Sequence, residues 1–183
     1  MTRKVIVWNM APLDGYFEGP KPWEIDWREY VWGEELERFS LDQAKEVGAL
    51  LFGRKTYEGM EGYWSTATGE VAEFMNSIPK VVFSNTLETV GWNNTRLMKG
   101  SAEEEVARLK QEPGKDLFIF GSANLTGSLT KQGLIDEYRI GLNPLVLGGG
   151  TPMFKPSDER MRLKLLEARP MQSGVVLLRY ARA

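Results

Sequence analysis

Residues 48–56 read GALLFGRKT and join an apolar run to a polar, basic segment. The four residues before Gly53 are all apolar, which is typical of a strand covered on both faces of a parallel sheet. Arg54, Lys55 and Thr56 follow at once. We therefore predict that a buried strand ends at Gly53 and that a helix begins with Arg54.

The same alternation of apolar runs and helix-like segments extends outward from this stretch. Predicted strands cover residues 5–8, 49–52, 80–83, 96–98 and 117–120, and predicted helices cover residues 34–47, 54 onward, 70–76, 101–111 and 124–131. Such alternation indicates right-handed crossovers and a parallel sheet. Three later strand-like runs, 136–142, 162–167 and 174–180, have no strong helix between them. Short links favour antiparallel pairing, so these runs are expected at one sheet edge.

Composition limits the chemistry. The 183 residues, 42% apolar and 26% charged, predict one globular domain over residues 1–183. The chain has no cysteine and no histidine, which excludes Ser-His-Asp catalysis and zinc–thiolate sites, and we predict no metal.

The net charge is −2 and the charged residues are interspersed along the chain, so we expect no nucleic-acid partner. Because no apolar run approaches the roughly 18 residues of a membrane span, we expect a cytoplasmic protein without a membrane partner.

Residues 48–56 nearly match the phosphate-binding pattern GxxxxGK[ST] of nucleoside triphosphatases. An inserted Arg54 and a wholly apolar interior argue against that class, because a phosphate cradle needs exposed backbone N–H groups. Two interpretations stay open. Arg54 and Lys55 could attract a phosphate to the helix N-terminus, or both side chains could simply be solvated.

Two further strand ends carry polar or small residues. Ser84-Asn85-Thr86 follows the third strand, and Gly121-Ser122 follows the fifth. Ligands of α/β sheets bind beyond the carboxyl ends of the strands, so these positions and Gly53 are expected to face one edge together. Each alone is equally compatible with a tight turn. The GxGxxG fingerprint of a standard dinucleotide-binding fold is absent.

Residues 15–27 hold two prolines and several aromatic residues, and we predict a long ordered loop there. The aromatic side chains there and at Tyr63-Trp64 are suited either to packing or to contact with a flat substrate. Asp14-Gly15 is a common turn dipeptide that follows the first strand.

Several blocks in order along the chain resemble a known family. They are PLDGY at 12–16, LFGRKTYE at 51–58 with Tyr63-Trp64, KVVFSNTL at 80–87, FGSANL at 120–125, LIDEY at 134–138, PLVLGGGTPMF at 144–154 and SGVV at 173–176. The chain is similar to stand-alone bacterial relatives of dihydrofolate reductase. These are grouped with the C-terminal reductase domain of the bifunctional riboflavin-synthesis deaminase–reductase.

The resemblance implies a three-layer α/β fold: about eight strands, mostly parallel, an antiparallel C-terminal edge, and helices on both faces. It also implies NADPH as cofactor and a homodimer. The implied cofactor-binding residues are Gly53, Arg54, Lys55, Thr56, Ser84, Asn85, Thr86, Gly121, Ser122, Ala123, Asn124 and Leu125. The implied substrate-binding residues are Asp14, Trp27, Tyr57 and Trp64. Pro12 stands where the family usually has Ser, no full folate-binding signature is evident, and we expect no zinc-binding deaminase domain.

These observations lead to one function and two alternatives. We predict hydride transfer from NADPH to a C=N or C=O bond of a small pteridine- or pyrimidine-like heterocycle. Because histidine is absent, a carboxylate or a water molecule must supply the proton. Asp14 is the first candidate and Asp26 the second, although Asp14 could instead cap its turn. The alternatives are a ligand-binding protein without turnover and a dimeric scaffold with an empty pocket.

Replacing Arg54 by alanine tests the cofactor prediction. A cation near the 2′-phosphate usually separates NADPH-dependent from NADH-dependent enzymes. Arg54→Ala is therefore expected to weaken NADPH binding far more than NADH binding in parallel titrations. An equal loss for both cofactors would instead assign Arg54 to the pyrophosphate or to the fold.

Overall fold

The computed structural model describes residues 2–183 and contains ten strands and five α-helices in that range. The strands are β1 (Val5–Pro12), β2 (Tyr16–Glu18), β3 (Val47–Gly53), β4 (Lys80–Phe83), β5 (Thr95–Met98), β6 (Asp116–Phe120), β7 (Glu137–Asn143), β8 (Thr151–Pro152), β9 (Leu163–Pro170) and β10 (Val176–Arg182). The helices are α1 (Glu34–Ala44), α2 (Arg54–Trp64), α3 (Glu70–Ser77), α4 (Ala102–Gln111) and α5 (Ala123–Lys131), with a 3₁₀ helix at Asp26–Val31. None of the helices within these residues is long and apolar enough to cross a membrane.

Eight strands form the main sheet in the order β5-β4-β3-β6-β1-β7-β10-β9. The pairs from β5 to β7 are parallel, whereas β10 pairs antiparallel with both β7 and β9. This confirms the predicted mostly parallel sheet with an antiparallel C-terminal edge. The order also brings β1, the first strand, to the middle of the sheet, between β6 and β7.

Helices cover both faces of the sheet, as the side chains of β1 show by packing alternately against one helix layer and the other. Val5 and Val7 pack in the cluster that includes Val106 of α4 and Leu125 of α5. Ile6, which points the other way, packs in the cluster of α2 and α3. Further along the same face, Met10 packs beside α1. Successive residues of a strand face opposite sides, so one strand contributes to both layers.

Helix α1 ends at Ala44, three residues before the predicted end, because Val47 already begins β3. Val47 is buried and pairs with Asp116, so its apolar side chain belongs to the sheet rather than to the helix. Gly48 lies where the pairing of β3 with β6 shifts register, between Val47 and Ala49. A Cβ at Gly48 would lie 2.5 Å from the carbonyl oxygen of Lys115.

The predicted loop at 15–27 contains regular structure that no periodicity indicates. Strand β2 pairs antiparallel with β8 and forms a small second sheet. The hydroxyl of Thr151 donates to the carboxylate of Glu18 at 2.9 Å, and the N–H of Met153 donates to the carbonyl of Gly15. This ribbon ties the segment after β1 to the glycine-rich segment after β7.

Lys80 is a buried lysine at the start of β4, only 1% exposed. Its ammonium group donates to the carbonyl oxygens of Ile78 at 2.7 Å and Asn93 at 2.9 Å, and it lies 4.4 Å from the centre of the Trp92 ring. Burial lowers the pKa of Lys80 from 10.5 to about 8. The side chain joins the end of α3 to the segment before β5.

The buried lysine predicts a specific dependence of stability on pH. Between about pH 8 and 10.5 the unfolded chain keeps the Lys80 proton while the folded protein loses it. The unfolded state therefore binds more protons, and the contribution of Lys80 to the free energy of unfolding rises with pH in this window. Urea unfolding of the wild type and of Lys80→Met should be measured between about pH 8 and 10.5. The rise in the free energy of unfolding that Lys80 causes should be absent from the variant. Parallel pH profiles for the two proteins would contradict the prediction.

Candidate active site

A cavity of about 1690 Å³ lies beyond the carboxyl ends of the central parallel strands. Its floor includes Asn9 from β1, Gly53 from β3, Phe83 from β4 and Phe120 from β6. These strands are neighbours and run in the same direction, so their carboxyl ends meet at one edge. The sequence prediction that these strand ends face one edge is confirmed.

Two α-helices begin at the wall of this cavity. Helix α2 starts at Arg54 after Gly53, and α5 starts at Ala123 after Ser122. Neither N-cap residue makes a side-chain hydrogen bond to its own helix. The first N–H groups of both helices therefore lack a side-chain cap, and the positive ends of two helix dipoles face one cavity. This arrangement attracts anions, and phosphate groups in particular.

Hydrogen bonds hold the two helix starts in fixed relation to each other. The N–H of Gly53 donates to the hydroxyl of Ser122 at 3.1 Å, and the N–H of Ser122 donates to the hydroxyl of Thr56 at 3.1 Å. The N–H of Gly121 donates to the side-chain oxygen of Asn9 at 2.8 Å. The hydroxyl groups of Thr56 and Ser122 thus accept hydrogen bonds from the protein, and their own protons stay available to a ligand.

The turn after β6 needs an unusual backbone. Gly121 and Ser122 have φ values of 68° and 53°, in the left-handed region that favours glycine. A Cβ at Gly121 would also lie 3.1 Å from the methyl group of Thr56. Glycine at this position therefore allows α5 to approach α2 closely.

The residues predicted to bind the cofactor line the cavity, except Thr86, and several of them already bond to other protein groups. Arg54 forms an exposed ion pair with Glu58 at 3.2 Å. The side-chain oxygen of Asn85 accepts from the N–H of Gly100 at 2.8 Å. Ser84 accepts two backbone N–H groups within its own turn. Thr86 belongs to that turn and does not line the cavity, so its predicted contact with the cofactor stays a prediction.

The other end of the cavity is formed by the segment after β1 and by α1. It carries several carboxylates, namely Glu18, Asp26, Glu29 and Glu37. Arg28 lies among them, and burial lowers its pKa to about 10. One of its terminal nitrogens donates to the carbonyl of Phe17 at 3.2 Å. This end therefore combines several carboxylates with one fixed cation.

Two of the predicted substrate contacts lie in the core instead. Tyr57 is 1% exposed, and its hydroxyl accepts from the N–H of Trp92 at 3.0 Å. Trp27 is 4% exposed and packs with Leu36 of α1. Neither side chain lines the cavity, because helical geometry turns both toward the sheet. Trp64 does line the cavity.

Asp14 is not among the residues that line the cavity, and its predicted place at the substrate stays a prediction. Its carboxylate accepts from the N–H groups of Gly148 at 2.7 Å and Leu147 at 3.2 Å. The Gly148 bond, supported by the bond from Leu147, holds the pKa of Asp14 below its ordinary value of 3.8. Asp14 therefore fixes the glycine-rich segment, and Asp26, the second candidate, is the one that lines the cavity.

Several lining residues were missed from sequence, including Asn9, Gln43 and Lys155. Asn9 is a polar residue within an apolar strand, and that interruption is the one signal that could have marked it. The others come from segments distant in the chain. Trp23 is placed by close contact with α2: a Cβ at Gly59 would lie 1.8 Å from its ring.

The sheet order, the helix layers and the cavity at the strand ends together define a dihydrofolate-reductase-like fold. Over its full length the chain overlays the Enterococcus faecalis dihydrofolate reductase in complex with NADP(H), covering 99% of that protein with a TM-score of 0.65 and 14% identity. It overlays a protein from Shewanella sp. PV-4, provisionally assigned to riboflavin biosynthesis, with a TM-score of 0.83 and 24% identity over 100% of this chain and 99% of that one.

The family follows from the sequence match. Residues 3–177 match the RibD C-terminal domain, so the chain belongs to that family. It is also 32% identical to the uncharacterized protein YyaP of Bacillus subtilis (strain 168), over 97% of this chain and 94% of YyaP. The resemblance inferred from the sequence blocks is thereby confirmed.

Removing the Asp14 carboxylate tests its structural role. Asp14→Ala is expected to speed hydrogen exchange at the Leu147 and Gly148 amides, because both lose their acceptor. Asp42→Ala, at another exposed carboxylate with a lowered pKa, is the control and should leave these amides unchanged. The pKa of Asp14 is lower in the folded protein than its ordinary value of 3.8. Its contribution to the free energy of unfolding is therefore complete above about pH 3.8 and is lost as the pH falls through the lowered pKa. Unchanged exchange in Asp14→Ala would contradict this role.

Proposed function

We propose that this protein is an NADPH-dependent reductase that transfers a hydride to a C=N or C=O bond of a small heterocycle. The observation that carries the proposal is the pair of helix starts, α2 and α5, held together at one cavity by Thr56 and Ser122. A dinucleotide carries a pyrophosphate, and helix N-termini without side-chain caps are sites that bind such groups.

The residues at this wall fit the cofactor. Lys55 adds a positive charge at the start of α2, and Thr56 and Ser122 offer hydroxyl protons. Further along, Ser84 and Asn85 line the part of the cavity at the end of β4. The likeness to an NADP(H)-bound dihydrofolate reductase supports the same assignment. When bound, NADPH supplies the hydride, and the protein supplies position and a proton.

The carboxylates at the other end supply the acid–base groups. Without histidine in the chain, proton donation falls to a carboxylate or to water held by one. Asp26 and Glu37 both line the cavity, one from the 3₁₀ helix and one from α1. We propose that Asp26 takes the proton-donating role first predicted for Asp14. The single domain, the homodimer and the cytoplasmic location stay predictions.

Quenching of the intrinsic tryptophan fluorescence by NADPH tests the cofactor site. The chain has six tryptophans, and Trp8, Trp23, Trp32 and Trp64 line the cavity. We expect saturable quenching, with weaker binding of NADH. Thr56→Val removes the acceptor of the Ser122 N–H and should weaken NADPH binding. Thr66→Val, past the other end of α2, is the matched control and should bind as the wild type does.

Turnover distinguishes an enzyme from a binding protein of the same fold. NADPH oxidation should be followed by absorbance with pteridine, pyrimidine and simple carbonyl compounds as acceptors. Saturable binding without any turnover would favour the ligand-binding alternative. No binding of either cofactor up to about millimolar concentration would overturn the proposed reductase.

A further inference from the structure

The two helix starts at the cavity differ in charge. Helix α2 begins with two basic residues, Arg54 and Lys55. Helix α5 has no charged residue in its first turn, and its one basic residue, Lys131, lies in the last turn. The wall formed by α5 therefore has no cation of its own to meet a phosphate group.

Lys155 brings a cation to this wall from another part of the chain. It lies after β8 and lines the same cavity as Ala123, Asn124 and Ser128 of α5. Its methylene chain runs along the helix at Gly127, where a Cβ would lie 3.6 Å from the Lys155 Cδ. The bare backbone at Gly127 lets the lysine stem lie against α5, and long basic side chains commonly pack this way while the charged end stays in water.

The backbone that carries Lys155 is held in place by the two residues before it. Met153 is 9% exposed, and its N–H donates to the carbonyl of Gly15 at 2.9 Å. The ring of Phe154 packs against Tyr138, with 5.9 Å between centroids. The Lys155 side chain is exposed, but its point of attachment is fixed against the small sheet and β7.

The ammonium group of Lys155 has no protein partner within residues 2–183. No hydrogen bond and no ion pair within 4.0 Å involves it there, whereas Arg54 is paired with Glu58. Glu103, a carboxylate that also lines the cavity, is engaged by the hydroxyls of Ser101 and Ser128. Lys155 is thus a free positive charge on a fixed segment, at the wall of a cavity that suits an anion.

We propose that Lys155 is a cofactor-binding residue that pairs with the pyrophosphate of the dinucleotide on the α5 side of the cavity. The inference rests on the proposed NADPH site and deepens it. Helix α5 follows β6, which lies between β3 and β1, whereas Ser84 and Asn85 mark the far end of the cavity at β4. A cation beside α5 therefore lies away from the β4 end of the cavity. There it would contact the pyrophosphate, which NADPH and NADH share.

Parallel titrations of NADPH and NADH by tryptophan quenching test the assignment. Lys155→Gln is expected to weaken the binding of both cofactors by a similar factor, about two- to fivefold for one ion pair at an exposed site. It should also reduce the dependence of affinity on salt. Lys155→Arg keeps the charge and should bind nearly as the wild type does. Lys164→Gln, an exposed lysine on β9 away from the cavity, is the matched control and should leave binding unchanged.

The outcomes separate this inference from the function on which it rests. If the wild type binds neither cofactor, the proposed reductase site fails and the inference falls with it. If the wild type binds and Lys155→Gln binds equally well, only the role of Lys155 is overturned. A loss confined to NADPH would move the contact to the 2′-phosphate and overturn the pyrophosphate assignment. An equal loss of cofactor affinity in Lys164→Gln would show a general effect of protein charge and would also overturn the role of Lys155.

Discussion

Hydrogen bonds between the β3–α2 turn and the β6–α5 turn determine the geometry of the cavity. Gly53 donates to Ser122, and Ser122 donates to Thr56, so the backbone of each turn is bonded to a side chain of the other. This reciprocal arrangement aligns two helix N-termini without using a side-chain cap on either. It also explains why short hydroxyl residues stand at these positions: each accepts from a backbone N–H and keeps a proton to donate.

The other end of the cavity depends on contacts between segments far apart in the chain. The ribbon of β2 and β8 joins the segment after β1 to the segment after β7, and the Asp14 carboxylate binds the same glycine-rich stretch. This one assembly carries Glu18 on one strand and precedes Lys155 on the other, so it joins segments that line the two ends of the cavity.

The charges of the cavity are divided between its ends. Arg54 and Lys55 lie at the helix wall, while Asp26, Glu29 and Glu37 lie at the opposite end. This separation suits the proposed reaction, in which an anionic cofactor would bind at one end and a proton-accepting substrate at the other. Arg28 and Glu103 depart from the pattern. Arg28 lies among the carboxylates, and burial rather than pairing lowers its pKa, whereas the carboxylate of Glu103 lies beside Ser128 of α5.

Sequence alone determined the alternation of strands and helices, the antiparallel edge and the meeting of strand ends at one edge of the sheet, because those features rest on local apolar runs and on residues next to strand ends. It did not show that Tyr57 and Trp27 are buried or that Asp14 bonds to Gly148, since adjacency in the chain does not show which way a side chain turns. Only the tertiary structure decided that Asp26 and Lys155 reach the cavity. Their places depend on the β2–β8 ribbon and the 3₁₀ helix, short elements stabilised by long-range contacts rather than by any periodic pattern.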